Sequence, residues 1–111
     1  MSDYECIIYY GLRFPISVAE MDAIDEENDE RINAAENEDL DYYCSDLCSL
    51  EGQYYLFIGQ EIGVMGPDGE VEAELTAEEY IAITESVRTS LSRAGFQDTP
   101  QLHIQGMHVF Y

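Results

Sequence analysis

Carboxylates dominate the chemistry open to this chain. It carries 24 Asp and Glu against four Arg and no Lys, for a net charge of −20 over 111 residues. The densest stretch runs from Glu20 to Asp41, where eleven of 22 residues are acidic and Arg31 is the one base. The acids are Glu20, Asp22, Asp25, Glu26, Glu27, Asp29, Glu30, Glu36, Glu38, Asp39 and Asp41. Asp22, Glu26, Asp29 and Glu30 recur at three- and four-residue spacing, which predicts one acidic face along a first helix and its continuation. A second row, Glu70, Glu72 and Glu74, alternates as the wet face of a strand would, with carboxylates about 6.6–6.8 Å apart. That is near two phosphate steps of a DNA strand, which rises about 3.4 Å per phosphate. Such rows offer Lys and Arg side chains a substitute for a phosphate track. Tyr42 and Tyr43, beside the acidic stretch, are available either as aromatic anchors for a partner or as core.

Other chemistries find little support. There is no Gly-rich phosphate loop, GxSxG elbow or HExxH motif. A nucleophile built from Cys44 or Cys48 with His103 or His108 needs an electropositive setting to form thiolate, and this chain supplies the reverse. Cys44 and Cys48 are four apart, a helical spacing rather than the CxxC of metal or redox sites. With Cys6 they make an odd number, fitting reduced thiols. The stretch from Asp22 to Glu36 lacks the central Gly and the alternating ligands of an EF-hand. The expectation is a noncatalytic protein with no cofactor and no metal.

Elements that would position the acids follow from periodicity. Tyr4–Arg13 reads as a strand, broken at Pro15. Ser17 and Glu20 have the spacing of a capping box and open a helix over about 18–26, with a second short helix at 28–37. Tyr42 to Gly52 reads as a turn or short helix. Tyr54–Ile58 reads as a buried strand, Gly59-Gln60 as a tight turn, Glu61–Met65 as the next strand. Pro67-Asp68-Gly69 would then turn into Glu70–Leu75, completing a meander. Thr76 and Glu79 open a helix over 77–94 closed by Gly95, with Tyr80, Ile83, Val87, Leu91 and Ala94 as its buried stripe. Leu102–Tyr111 is a last strand, with Leu102, Ile104, Gly106, His108 and Phe110 on one face. The predicted fold is α+β, one domain over residues 1–111. An antiparallel sheet of four to five strands carries helices on one face, in the order β-α-(α)-β-β-β-α-β.

The apolar fraction of 46%, with nine Tyr and four Phe, predicts a packed core beneath this surface. No apolar run approaches the roughly 18 residues of a membrane span, and the N-terminus has no basic, apolar leader, which predicts a cytoplasmic protein. Anionic membranes and nucleic acid would both repel it. The expected partner is therefore a basic, nucleic-acid-binding protein or complex, met by the protein as a monomer or a dimer.

In size, absence of lysine, net charge and the acidic stretch Glu20–Asp41, the chain resembles the small acidic inhibitors that phages and mobile elements carry against host defence, the DNA-mimic anti-restriction and anti-CRISPR proteins. The resemblance implies a noncatalytic inhibitor occupying the DNA-binding groove of a nuclease or CRISPR complex. Two other readings share the charge. One is an immunity-type protein neutralising a cationic toxin. The other is a domain adapted to high salt, against which the clustering of the acids counts.

Overall fold

Long stretches of β-branched and aromatic residues dictate the frame. The computed structural model describes residues 2–44, 52–66 and 73–110, with side chains from residue 5 to 107 within those spans. Strand β1 (Ser2–Ile16) is followed by helices α1 (Val18–Asp25) and α2 (Glu30–Asn37). Then come β2 (Asp41–Cys44), β3 (Tyr54–Met65), α3 (Ala77–Ala94) and β4 (Gln101–Phe110). The four strands form one open antiparallel sheet, in the order β2-β3-β1-β4, giving an α+β fold. The first and last strands pair with each other, which places β1 inside the sheet.

One core lies between the sheet and the helices. Tyr10, Leu12, Ile16, Leu56 and Ile58 meet Ile32 and Ala35 of α2, Leu40, and Val87 and Leu91 of α3. Tyr80, Ile83 and Ala94 flank it, as the helical stripe predicts. The opposite sheet face holds a smaller cluster of Ile7, Tyr9, Phe57 and Met107, with Tyr43, Tyr55 and Val64 beside it. Among the described residues, no helix is long and apolar enough to cross a membrane.

Four local expectations are corrected. Gly59-Gln60 is not a turn: β3 runs unbroken through it. Gly59 (φ 152°) faces Gly11 (φ 150°) across the β1–β3 ladder. A Cβ on either would collide with backbone of the other strand: Gly59 Cα lies 2.8 Å from the Cβ position of Gly11, and Gly11 Cα 2.8 Å from that of Gly59. These glycines serve close approach of two strands, not chain reversal.

Pro15 does not end β1 either. Pairing with β4 stops at Gly11, so beyond it β1 is bonded on one side only and tolerates a residue without an N–H. Tyr42 and Tyr43 lie in a short strand, opposite Ile58 and Phe57, rather than in a turn or helix. That also places Cys44 on a strand, while Cys48 lies outside the described residues. In β4 the alternation is as expected: Leu102 and Ile104 share the exposed face, and Met107 on the other is buried.

The Pro67–Gly69 turn and Glu70–Glu72 lie outside the described residues, and residues 73–75 are not strand.

Candidate partner-binding surface

Helices α1 and α2 follow one another through residues 26–29, are tied by the Arg31–Glu20 ion pair, and have their ends set by caps. Ser17 caps α1 in a full capping box with Glu20. Asp29 caps α2, accepting the backbone N–H groups of Arg31 (2.9 Å) and Ile32 (3.4 Å). The Asp29 carboxylate also grips the Arg31 guanidinium, taking Nε at 3.2 Å and Nη2 at 2.9 Å. Arg31 Nη2 reaches Glu20 at 2.9 Å, and the guanidinium lies 5.2 Å from the centre of the Phe14 ring. Hydrogen bonds from Arg31 hold the Asp29 carboxyl below its usual range. Glu20 is held low first by the Ser17 backbone N–H and then by Arg31.

The predicted partner-binding acids separate accordingly. Asp22, Asp25, Glu26, Glu30, Glu36, Asp39 and Asp41 are exposed, and Glu38 is half-buried. Asp29 is only 9% exposed and turned inward as a cap. Because Glu26 and Asp29 lie outside the two helical spans, the expected single face through Asp22, Glu26, Asp29 and Glu30 is interrupted. Glu70 and Glu72 lie outside the described residues. Glu74 is exposed in the segment before α3, in a hollow with Ile8, Ile62, Leu75, Tyr80 and Leu102 that is separate from α1 and α2.

Acids also stand where the backbone would prefer other residues. All three helices end in the same hydrogen-bonded turn, closed by Asn28 N–H to Ala23 C=O, Leu40 to Ala35 and Phe96 to Leu91. The left-handed residue in that turn is Gly95 after α3, but Glu27 (φ 58°) after α1 and Asp39 (φ 55°) after α2. A glutamate side chain there costs roughly 1 kcal/mol relative to glycine, and an aspartate less, because its short polar side chain can hydrogen-bond locally. Neither α1 nor α2 has a base in its last turn, where the helix dipole would favour one.

Two hollows meet at Tyr42, which is 44% exposed. One, about 160 Å³, is lined by Ile24, Glu27, Ile32, Asn33, Glu36 and Tyr42. The other, about 350 Å³, is lined by Tyr9, Leu40, Asp41, Tyr42 and Glu61. Register explains the second: Tyr9 of β1 pairs with Glu61 of β3, while Asp41 of β2 pairs with Gly59. Gly59 in turn faces Gly11, so the sheet surface between these groups carries no side chain. Tyr9 is 1% exposed and its hydroxyl, fully buried, has no hydrogen-bond partner among the described residues. Burial foremost, then the charges of Asp41 and Glu61, push its ionisation far above the ordinary tyrosine range, so it stays a neutral phenol.

Sequence reasoning missed Tyr9 and Glu61. The one signal was a charged residue between Ile58 and Ile62 in an apolar run.

Elsewhere on that sheet face His103 sits edge-on to Phe57, with Nε2 3.2 Å from the Gly11 carbonyl. Among the described residues, no cluster of three or more His, Cys, Asp or Glu could hold a metal ion.

The fold and site thus define a four-stranded α+β protein with two consecutive acidic helices, α1 and α2. No protein-family model matches the chain, and neither a curated protein nor a solved structure does.

Proposed function

We propose that this protein is a noncatalytic acidic inhibitor. It acts in the cytoplasm, its acidic α1–α2 segment occupying a basic protein surface that otherwise holds nucleic acid. A host-defence nuclease or CRISPR complex is the target class that the resemblance to DNA-mimic inhibitors brings with it.

The observation that carries the reading is the placement of acids against the preferences of the backbone. Glu27 and Asp39 occupy left-handed positions where α3 uses glycine, and Asp25, Glu26, Glu36 and Glu38 crowd the negative ends of two helix dipoles. Each such choice lowers stability, and residues kept at a cost to stability mark function. Arg31, the one base of the stretch, is drawn inward between Asp29, Glu20 and Phe14 and leaves the outer carboxylates unneutralised. A field of this kind steers a basic partner and speeds its association.

The test is capture from host lysate at low salt by the wild-type protein and by a D25K/E26K/E36K variant, with displacement by duplex DNA. The expected result is a nuclease or CRISPR complex that DNA displaces and that the variant no longer holds. Binding that DNA leaves untouched would favour an immunity-type protein bound beside the groove. Retention by the variant would remove the α1–α2 segment from the interface.

A further inference from the structure

We infer that the hollow formed by Tyr9, Asp41, Tyr42 and Glu61 is a socket for one guanidinium group, an arginine side chain projecting from the basic partner. The inference rests on the reading of this protein as a ligand for a basic surface, and adds the residue class that anchors it.

Three features converge. Asp41 and Glu61 bring two exposed carboxylates to one hollow from neighbouring strands, with no cationic residue in its lining. Tyr9 lines the same hollow, and its buried hydroxyl has no hydrogen-bond partner among the described residues, an arrangement that costs stability until a ligand meets it. The Gly11–Gly59 pair leaves the sheet surface beside these groups without side chains. Two carboxylates and one phenol oxygen match the planar fork of a guanidinium, which has five N–H donors and no acceptor. The volume of about 350 Å³ is at the small end of ligand sites, suited to one side chain.

Hydration favours arginine over lysine. The Tyr9 hydroxyl is closed off from solvent, so a group that reaches it must shed its water, and guanidinium is more weakly hydrated than ammonium. Tyr42 adds an exposed ring at the rim, over which a flat cation can stack.

The experiment is titration of the ¹⁵N-labelled protein with N-acetyl-arginine amide in moderate salt, with the citrulline and lysine analogues alongside. The expected result is saturable shifts confined to the amides of Tyr9, Asp41, Tyr42 and Glu61. Citrulline should give none and lysine at least threefold weaker binding. Tyr9→Phe should weaken the arginine probe about threefold or more, and Glu61→Gln, a surface change that leaves the core intact, about tenfold. Equal binding by citrulline or lysine overturns the assignment, as do shifts spread over α1 and α2 without saturation at the hollow, or unchanged affinity in both variants.

D25K/E26K/E36K separates this result from the mimicry reading. If that variant loses a DNA-displaceable partner while arginine fails to saturate the hollow, mimicry stands and the socket falls. Saturation of the hollow without any DNA-displaceable partner keeps the socket and removes mimicry.

Discussion

Asp29 and Arg31, two residues apart, form a closed unit. One carboxylate caps the helix that carries its own counter-ion, and the guanidinium returns two hydrogen bonds to that carboxylate. The pair turns an acid of the most negative stretch into a structural part. Asp29→Ala should therefore destabilise the fold by about 1–2 kcal/mol, as loss of a helix cap does, and leave Arg31 poorly paired. Urea unfolding measures this, and an unchanged midpoint would mean the cap contributes nothing.

Glu27 offers the opposite sign. Glu27→Gly removes a side chain from a left-handed position (φ 58°) and should stabilise the protein by about 0.5–1 kcal/mol. The same variant should bind a basic partner less well, since one carboxylate is gone. Stability and affinity moving in opposite directions, read by thermal melting and titration, is the signature expected if the acid is there for binding.

Tyr9→Phe keeps the ring against Phe57 (centroids 5.6 Å apart) and deletes the unpartnered hydroxyl. Its expected effect on the unliganded protein is a gain of about 1 kcal/mol, because a buried polar group without a partner is removed. A loss of similar size would show that the hydroxyl is satisfied in solution.

His103 predicts a pH dependence. Burial, then the charge of Arg13, lowers its ionisation below the ordinary 6.5, against the opposing pull of the Gly11 carbonyl. In the window between 6.5 and that lowered value the unfolded chain binds more protons than the folded one. The His103 contribution is thus present above pH 6.5 and is lost as pH falls through this window. Asp29 acts at lower pH in the same direction: its depressed carboxyl stabilises above the ordinary 3.8 and stops doing so as pH falls through its lowered value. Comparing unfolding midpoints at pH 7.5 and 5.5 for wild type and His103→Gln isolates the histidine, because relief of carboxylate repulsion is common to both proteins. Equal slopes in the two proteins would refute the assignment.

Salt separates charge used for binding from charge suited to a saline habitat. The fold should persist at about 10 mM NaCl, where screening is weakest, and partner affinity should fall as salt rises. Unfolding on dilution from high salt, followed by circular dichroism, would instead identify the carboxylates as an adaptation to that medium.

Local signals are legible in the chain, and long-range ones are not. Ser17 with Glu20, Thr76, Gly95 and the stripe from Tyr80 to Ala94 act within a few residues of themselves, and each performs the role its spacing predicts. The role of Gly59 is not legible locally, because a glycine demanded by a turn and one demanded by a neighbouring strand look alike until Gly11 is known to lie opposite. Strand β2 was missed for a related reason: Tyr42 and Tyr43 are strand because Ile58 and Phe57 are there to pair with them. At the site, exposure of most of the acids of the α1–α2 segment followed from composition. The inward turn of Asp29, and the meeting of Tyr9, Asp41 and Glu61 from three strands, depend on register.

The Gly11–Gly59 contact also bears on how this sequence can drift. Neither position can acquire a side chain while the two strands keep their approach, and replacing both would double the obstruction rather than relieve it. Exposed carboxylates without a capping, left-handed or socket position are more interchangeable by comparison, since Asp and Glu at neighbouring positions project similar charge. A lineage descending from this chain would be expected to reshuffle the acids outside its caps, helix ends and socket while holding both glycines fixed. That pair, not the abundant charge, is then the mark by which a distant descendant could be told from an unrelated acidic protein.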